Sequence, residues 1–219
     1  MSHWESQLDH CSPGHTVCQA YSSCYNRHMI TVGIDEVGRG CWAGPLVAGA
    51  VVWPPKLNLH KAPIVLRDSK KLSKRQRETA AEWIHEHALR VGLGWVTPQE
   101  IDTVGLTRAV GMAMERALAQ ITLYFDELII DGNYNFFGHD PRARAVIKAD
   151  DTFPSVSAAS IVAKVARDTY MADLDERYAG YGFEKHVGYG TAAHIAALKT
   201  LGISDIHRLS YKPIKAFMI

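Results

Sequence analysis

With 219 residues and a mass of 24.3 kDa, the chain has the length of one domain, or of one domain with a short appendage. Its 47% hydrophobic and 21% charged residues exclude global disorder, collagen and coiled coil, and 24 Lys and Arg against 23 Asp and Glu exclude a histone-like protein that holds nucleic acid by bulk charge. No apolar run reaches the roughly 18 to 20 residues that cross a bilayer, and the first residues lack the basic and then apolar segments of a secretory signal, so the chain reads as soluble and cytoplasmic.

The first 28 residues carry Cys11, Cys18 and Cys24 with His3, His10, His15 and His28, and little apolar periodicity. The cysteine spacings fit no common zinc finger or ribbon, and a disulfide framework is not expected at this length without export signals. The segment reads as a disordered extension or as residues upstream of the true start, with Met29 a natural beginning and residues 29–219 one domain.

From Met29 the pattern is regular. Ile30 to Val37 predicts a buried strand, and after a Gly-rich turn Leu46 to Trp53 predicts a second, paired antiparallel to the first. Ser73 caps a helix running to Leu89, and Val91 to Val96 predicts a third strand. Thr97-Pro98-Gln99-Glu100 opens a short helix with a cap, a proline at the first helical position and an acid at the third. Leu106 to Ile121 predicts another helix, Glu127 to Ile130 a short strand ending at Asp131-Gly132, and Arg144 to Lys148 a further strand. Ser155 to Tyr178 is the longest predicted helix and Thr191 to Leu201 the last clear one. A strand hairpin followed by alternating helix and strand implies an α/β fold, a mixed central sheet flanked by helices, with a C-terminal helical part.

A basic run, Arg67 to Arg77, holds six basic residues and one acid. It reads either as a solvated helix start or as one wall of a nucleic-acid groove. Trp42, Trp53, Trp83 and Trp95 read as core and rim rather than a base-stacking platform, and Cys41 as a small packed residue. Gly33 to Gly40 lacks the Gly-Lys-Ser/Thr of a phosphate-binding P-loop, and His85 and His87 stand two apart, not the four a helical zinc pair needs.

Four carboxylates stand out. Asp35 and Glu36 are neighbours at the end of the first strand, so they point to opposite faces unless the backbone leaves strand geometry at or after Glu36. Asp131 ends a strand, where α/β sheets carry functional groups. Asp168 lies on the long helix, one stripe with Ser160 and Lys164. Singly, each has a plain structural reading: a turn at Asp131-Gly132, a surface pair between Asp168 and Lys164. As a cluster they would repel and take up protons unless a cation compensates. Oxygen-only ligands suit Mg²⁺ or Mn²⁺, and two such ions about 4 Å apart are a recurrent apparatus for phosphodiester hydrolysis.

Gly33-Ile34-Asp35-Glu36-Val37-Gly38-Arg39-Gly40, followed by Ala43-Gly44-Pro45-Leu46-Val47-Ala48, resembles the opening signature of ribonuclease HII. Further matches follow in that family's order: Asp68-Ser69-Lys70-Lys71-Leu72, Ile130-Asp131-Gly132, Ala158 to Asp168, His186-Val187-Gly188-Tyr189-Gly190-Thr191 and His207-Arg208-Leu209-Ser210-Tyr211. The resemblance spans about Ile30 to Pro213.

The resemblance implies an RNase H-like fold over residues 29–219 and an endoribonuclease. Its substrates would be the RNA strand of RNA–DNA hybrids and single ribonucleotides embedded in duplex DNA, cut on the 5′ side to leave a 3′-hydroxyl and a 5′-phosphate. It implies a divalent metal, Mg²⁺ or Mn²⁺, held by Asp35, Glu36, Asp131 and Asp168. Gly38, Arg39 and Gly40 match the family's Gly-Arg-Gly motif, and Tyr189 its junction-sensing tyrosine. A 2′-hydroxyl is what tells RNA from DNA; glycines let the main chain approach it, and an aromatic ring can stack on the neighbouring deoxyribose. Lys70 and Lys164 are expected phosphate contacts, Lys164 having neutralisation of the acids as its rival role.

Cys41 stands where the family usually has proline and Val187 where it often has lysine, which weakens one expected phosphate contact. The sister family, ribonuclease HIII, lacks the Gly-Arg-Gly triplet and carries a folded N-terminal domain for which 28 residues are too few. A catalytically silent hybrid binder and another nuclease or resolvase of the same fold are the rival functions; four acids against a polyanion argue for the metal-dependent enzyme. A monomer is expected, and a sliding-clamp partner is compatible with the sequence.

Overall fold

A computed structural model of the protein describes residues 29–64, 69 and 72–218. The expectations for residues 1–28 and for Lys70 lie outside the described residues.

Five strands form one mixed sheet in the order β3-β2-β1-β4-β5. They are β1 (Thr31–Val37), β2 (Leu46–Val52), β3 (Arg90–Val96), β4 (Glu127–Asp131) and β5 (Ala143–Val146). β1 pairs antiparallel with β2 and β2 with β3, whereas β1–β4 and β4–β5 are parallel. Every residue of β2 is buried, as its unbroken Leu-Val-Ala-Gly-Ala-Val-Val run requires of a strand covered on both faces.

Alternate residues supply two cores. Val32, Ile34, Ala48, Ala50, Leu128 and Ile130 pack against α2 (Pro98–Val104) and α3 (Leu106–Leu118) through Ile101, Val110, Ala113 and Met114. On the other face Val51 meets α1 (Lys74–His87) and the 24-residue α4 (Pro154–Arg177). Beyond the end of the sheet, α5 (Phe183–His186), α6 (Ala192–Leu201) and α7 (Lys212–Lys215) build the C-terminal helical part around Phe183, Leu198, Met171 and Ala43.

The helices come close to the strands where glycines face them. A Cβ on Gly33 or Gly49 would overlap the α4 backbone at Ser155 and Ala159, and one on Gly94 the Ala113 carbonyl of α3. α4 answers with small residues, Ala158, Ala159 and Ser160, all buried.

Caps appear where the sequence puts them: Ser73 with Gln76 and Thr97 with Glu100 both form reciprocal capping boxes. Several boundaries differ by a few residues. β5 stops at Val146, because Lys148 turns into the left-handed region (φ 57°) and leads a 3₁₀ turn over Ala149–Asp151. α3 ends at Leu118, three residues early, and the four-residue helices α5 and α7 are too short to show a period. Cys41 is fully buried, and the four tryptophans are half-buried at core margins, Trp53 on Trp83 and Trp95 on Tyr170. No helix among the described residues is long and apolar enough to cross a membrane.

Because α3 lies directly on Gly94, Gly94→Ala should lower unfolding free energy by about 1 to 3 kcal/mol. Gly138→Ala, whose new methyl meets nothing nearer than 3.8 Å, should change it by less than about 0.5 kcal/mol. Urea melts of the two variants check this.

Candidate active site

The parallel ladder between β1 and β4 ends at Ile34↔Ile130, while β1 continues beside β2 to Val37. Past that last pair the β4 side of β1 is open, and Asp35 and Glu36 both reach the gap although they leave the strand on opposite faces. The backbone departs from the strand only after Val37, at Gly38 (φ 91°). A cleft of about 360 Å³ occupies this edge, lined by Asp35, Glu36, Asp131 and Asp150 together with Gly38, Arg39, Ser69, Ser160, Lys164 and Tyr189. A larger cavity of about 530 Å³ lies at the start of α3, by Arg108, Tyr134 and Phe136, but it contains no carboxylate, so the acid–base chemistry belongs to the smaller one.

Asp35 is only 7% exposed. Burial, and then the adjacent Glu36 charge, push its carboxyl well above the usual carboxylate range. The Glu36 amide donates to its Oδ1 at 2.7 Å, and hydrogen bonding from Ser160 works in the same acid-strengthening sense without winning. Burial also raises Glu36, opposed by Arg39, whose guanidinium stands 3.1 Å from Oε1. Asp131 is anchored by the Ala149 amide, which donates to Oδ1 at 2.8 Å. Asp150 stands in the 3₁₀ turn that begins with that same alanine.

Asp168 does not line the cleft, although its charge acts on Tyr189 at the cleft's edge. It lines a separate recess with Lys74, Arg77 and Glu78, with Lys164 Nζ 2.7 Å from Oδ1 and Arg77 3.6 Å from Oδ2. The stripe Ser160–Lys164–Asp168 is real, but each four-residue step advances about 6 Å along the helix. Ser160 and Lys164 border the cleft and the next step leaves it. Lys164 therefore spans cleft and recess, its ammonium engaged with Asp168.

Asp150 is the site residue that sequence reading missed. It lies between the fifth strand and the long helix, so the Asp150-Asp151 pair at a strand–helix junction was the available signal.

Two fully buried arginines hold the glycine loop. Arg167 of α4 donates to the carbonyls of Pro45 (2.8 Å), Ala43 (3.1 Å) and Val187 (2.9 Å), and a Cβ on Gly38 would overlap its guanidinium. Arg208 donates to Gly44 (3.0 Å) and, with the Tyr211 hydroxyl, to the Arg39 carbonyl at 3.1 and 2.6 Å. The Arg39 side chain stays exposed. Tyr189, 40% exposed, overhangs Gly40, where an added Cβ would lie 3.9 Å from the ring. Partial burial and the neighbouring Cys41 raise its phenol above the usual value.

A model of the family described as ribonuclease HII matches residues 32–214. The chain belongs to the ribonuclease HII family. Ribonuclease HII of Shewanella loihica is 45% identical over 84% of this chain and 87% of its own length. That of Thermus thermophilus is 43% identical over 87% and 90%. Among solved structures, the ribonuclease H2 of Pyrococcus horikoshii superposes with a TM-score of 0.71 at 26% identity, covering 86% of this chain and 97% of that one. The RNase HII in the PCNA:RNase HII complex of Archaeoglobus fulgidus gives 0.71 at 27%, covering 84% and 96%. As a ribonuclease HII the protein is a divalent-metal-dependent endoribonuclease that cleaves the RNA strand of RNA–DNA hybrids.

Asp35 has a testable cost. A carboxyl raised in the folded state keeps its proton to higher pH than in the unfolded chain. The burden is therefore absent below the ordinary value of 3.8 and complete above the folded value. In EDTA, Asp35→Asn should raise stability at pH 8, with a smaller gain as the pH falls toward 4. Added Mg²⁺ or Mn²⁺ should stabilise the native sequence and leave the variant unchanged. Thermal melts across pH and metal concentration check both statements.

Proposed function

We propose that the cleft is the catalytic centre, and that it cuts both RNA–DNA hybrids and single ribonucleotides embedded in duplex DNA, on the 5′ side, leaving a 3′-hydroxyl and a 5′-phosphate. The observation that carries this reading is the meeting of four carboxylates, the Gly-Arg-Gly loop and Tyr189 around one opening.

The donor set fits a hard divalent cation. Every acid is a carboxylate, no Cys or His among the described residues lines the cleft, and Asp35 is too buried to remain charged comfortably beside Glu36 without a counter-charge. Among the described residues no three acidic, His or Cys side chains form a ready-made cage. Mg²⁺ and Mn²⁺ keep several waters and take substrate phosphate oxygens, so a few carboxylates can hold them. Asp35, Glu36 and Asp131 would hold the ions, with Asp150 as fourth acid in preference to Asp168. When bound, a pair of such cations lowers the cost of deprotonating water and of charge on the departing 3′-oxygen.

The chain's own groups do the rest. The Ala149 amide orients Asp131, and Arg39 keeps Glu36 turned to the opening. Gly38, Arg39 and Gly40 present main chain to the 2′-hydroxyl, and Tyr189 stacks on the deoxyribose that follows, where a second 2′-hydroxyl would crowd the ring. Lys164 at the rim meets a phosphate, and Lys70, outside the described residues, is our second candidate for a phosphate contact. The protein works as a cytoplasmic monomer. The Archaeoglobus fulgidus relative is in complex with PCNA, and a sliding clamp is the corresponding partner here.

On a long hybrid, Asp150→Asn should lower kcat at least about a hundredfold with hybrid binding held within a few-fold, and Asp168→Asn by less than about tenfold. The reverse ranking would restore Asp168 to the metal site. Tyr189→Ala should reduce cleavage at a single embedded ribonucleotide more than cleavage of long hybrids; equal losses would remove its junction role. Single-turnover cleavage of both substrates supplies each comparison.

A further inference from the structure

Three histidines, absent from the chemistry described so far, lie within 8% exposure or less behind the Tyr189 loop: His186 of α5, His194 of α6 and His207 of the segment that follows α6. They form a directed chain. The Ser204 amide can only donate, and it meets His207 Nδ1 at 3.0 Å, with the Ser204 hydroxyl 2.8 Å from the same atom. His207 must then carry its proton on Nε2, which stands 3.0 Å from His194 Nε2. His194 Nε2 therefore accepts, and its Nδ1–H donates at 3.0 Å to the main-chain carbonyl of Tyr189. His186 stacks on His194 at 4.5 Å, with the Gly188 amide donating to its Nδ1 and its own Nε2–H directed to the Tyr181 carbonyl. One tautomer of each neutral ring satisfies every one of these bonds.

The loop that ends this chain is under constraint. Val187 sits at φ 43°, rare for a β-branched residue. Gly188 takes φ 84°, where an added Cβ would overlap the Ala43 carbonyl, and a Cβ on Gly190 would overlap the Trp42 ring. The Tyr189 carbonyl is the point at which the chain grips the segment, one residue's backbone away from an exposed ring.

We propose that His194, set by His207, is a positioning residue for Tyr189, and thereby for discrimination of a single embedded ribonucleotide; this rests on Tyr189 being the junction-reading group. Burial holds both His194 and His207 down to about 4, so these two rings stay neutral near pH 7. The titratable groups that face these two rings are His186, Asp205 and Tyr181.

The test uses the full chain and the ratio of cleavage rates on a duplex with one ribonucleotide and on a long hybrid. Each ratio is taken within one preparation, so loss of folded protein cancels. His194→Ala should lower the ratio about tenfold, and His194→Asn, whose amide N–H can take the place of Nδ1–H, should restore most of it. In the Tyr189→Ala background, His194→Ala should change the ratio no further. Equal losses on both substrates, failure of asparagine to restore the ratio, or a further fall in the Tyr189→Ala background would overturn the positioning role. An unchanged ratio in Tyr189→Ala alone would instead overturn the reading of Tyr189 on which it rests, and the proposal with it.

Discussion

The close approach of α4 to the first two strands is the constraint on which the site depends. Gly33 and Gly49 on the sheet and the Ala158-Ala159-Ser160 step on the helix remove the side chains that would hold the two apart. That approach buries Asp35, brings Ser160 and Lys164 to the cleft, and lets Arg167 reach across to the carbonyls of the β1–β2 loop. A wider gap would admit water around Asp35 and relax the very crowding that makes the acids receptive to a cation. Close packing and catalytic electrostatics are here one arrangement, and the cost in metal-free stability is the expected trade of an active site.

The loops that surround the acids are held by main-chain bonds to buried side chains. Arg167 ties the β1–β2 connection to Val187, Arg208 ties it to the C-terminal segment, and His194 ties Tyr189 to α6. Neither arginine ends on a carboxylate in these bonds. Each spreads its donors over carbonyl oxygens, which fixes backbone geometry without adding another negative charge beside the acids. The C-terminal helices thus serve the site from a distance, by setting the loops that face substrate rather than by facing it.

Much of this was legible in the sequence, and the reasons are local. β2 announces itself by an unbroken apolar run, β1 by the apolar stretch that leads into Asp35, and α1 and α2 by caps whose partners lie three residues away. Asp35, Glu36 and Asp131 stand at strand ends, where a sheet's edge is predictable from the strand alone. Asp168 shows where local reading stops. The spacing that aligns it with Ser160 is correct, yet α4 is about 36 Å long, and only the tertiary fold fixes which turn meets the cleft. Asp150 sits in a 3₁₀ turn set by the left-handed Lys148, a conformation without periodicity to detect. Arg167, Arg208 and the three histidines are scattered over 42 residues from 167 to 208; their types suggest surface or solvent, and only the packed chain turns them inward.

The most direct test of the account is a labelled DNA duplex carrying one ribonucleotide, beside its all-deoxy twin, incubated with the protein in Mg²⁺, Mn²⁺ or EDTA. The account requires a single cut on the 5′ side of the ribonucleotide, absent from the twin and from EDTA, with a 3′-hydroxyl on the upstream product. Cutting of both duplexes would contradict recognition through the 2′-hydroxyl, and binding without a cut in either metal would contradict catalysis by the carboxylate cleft.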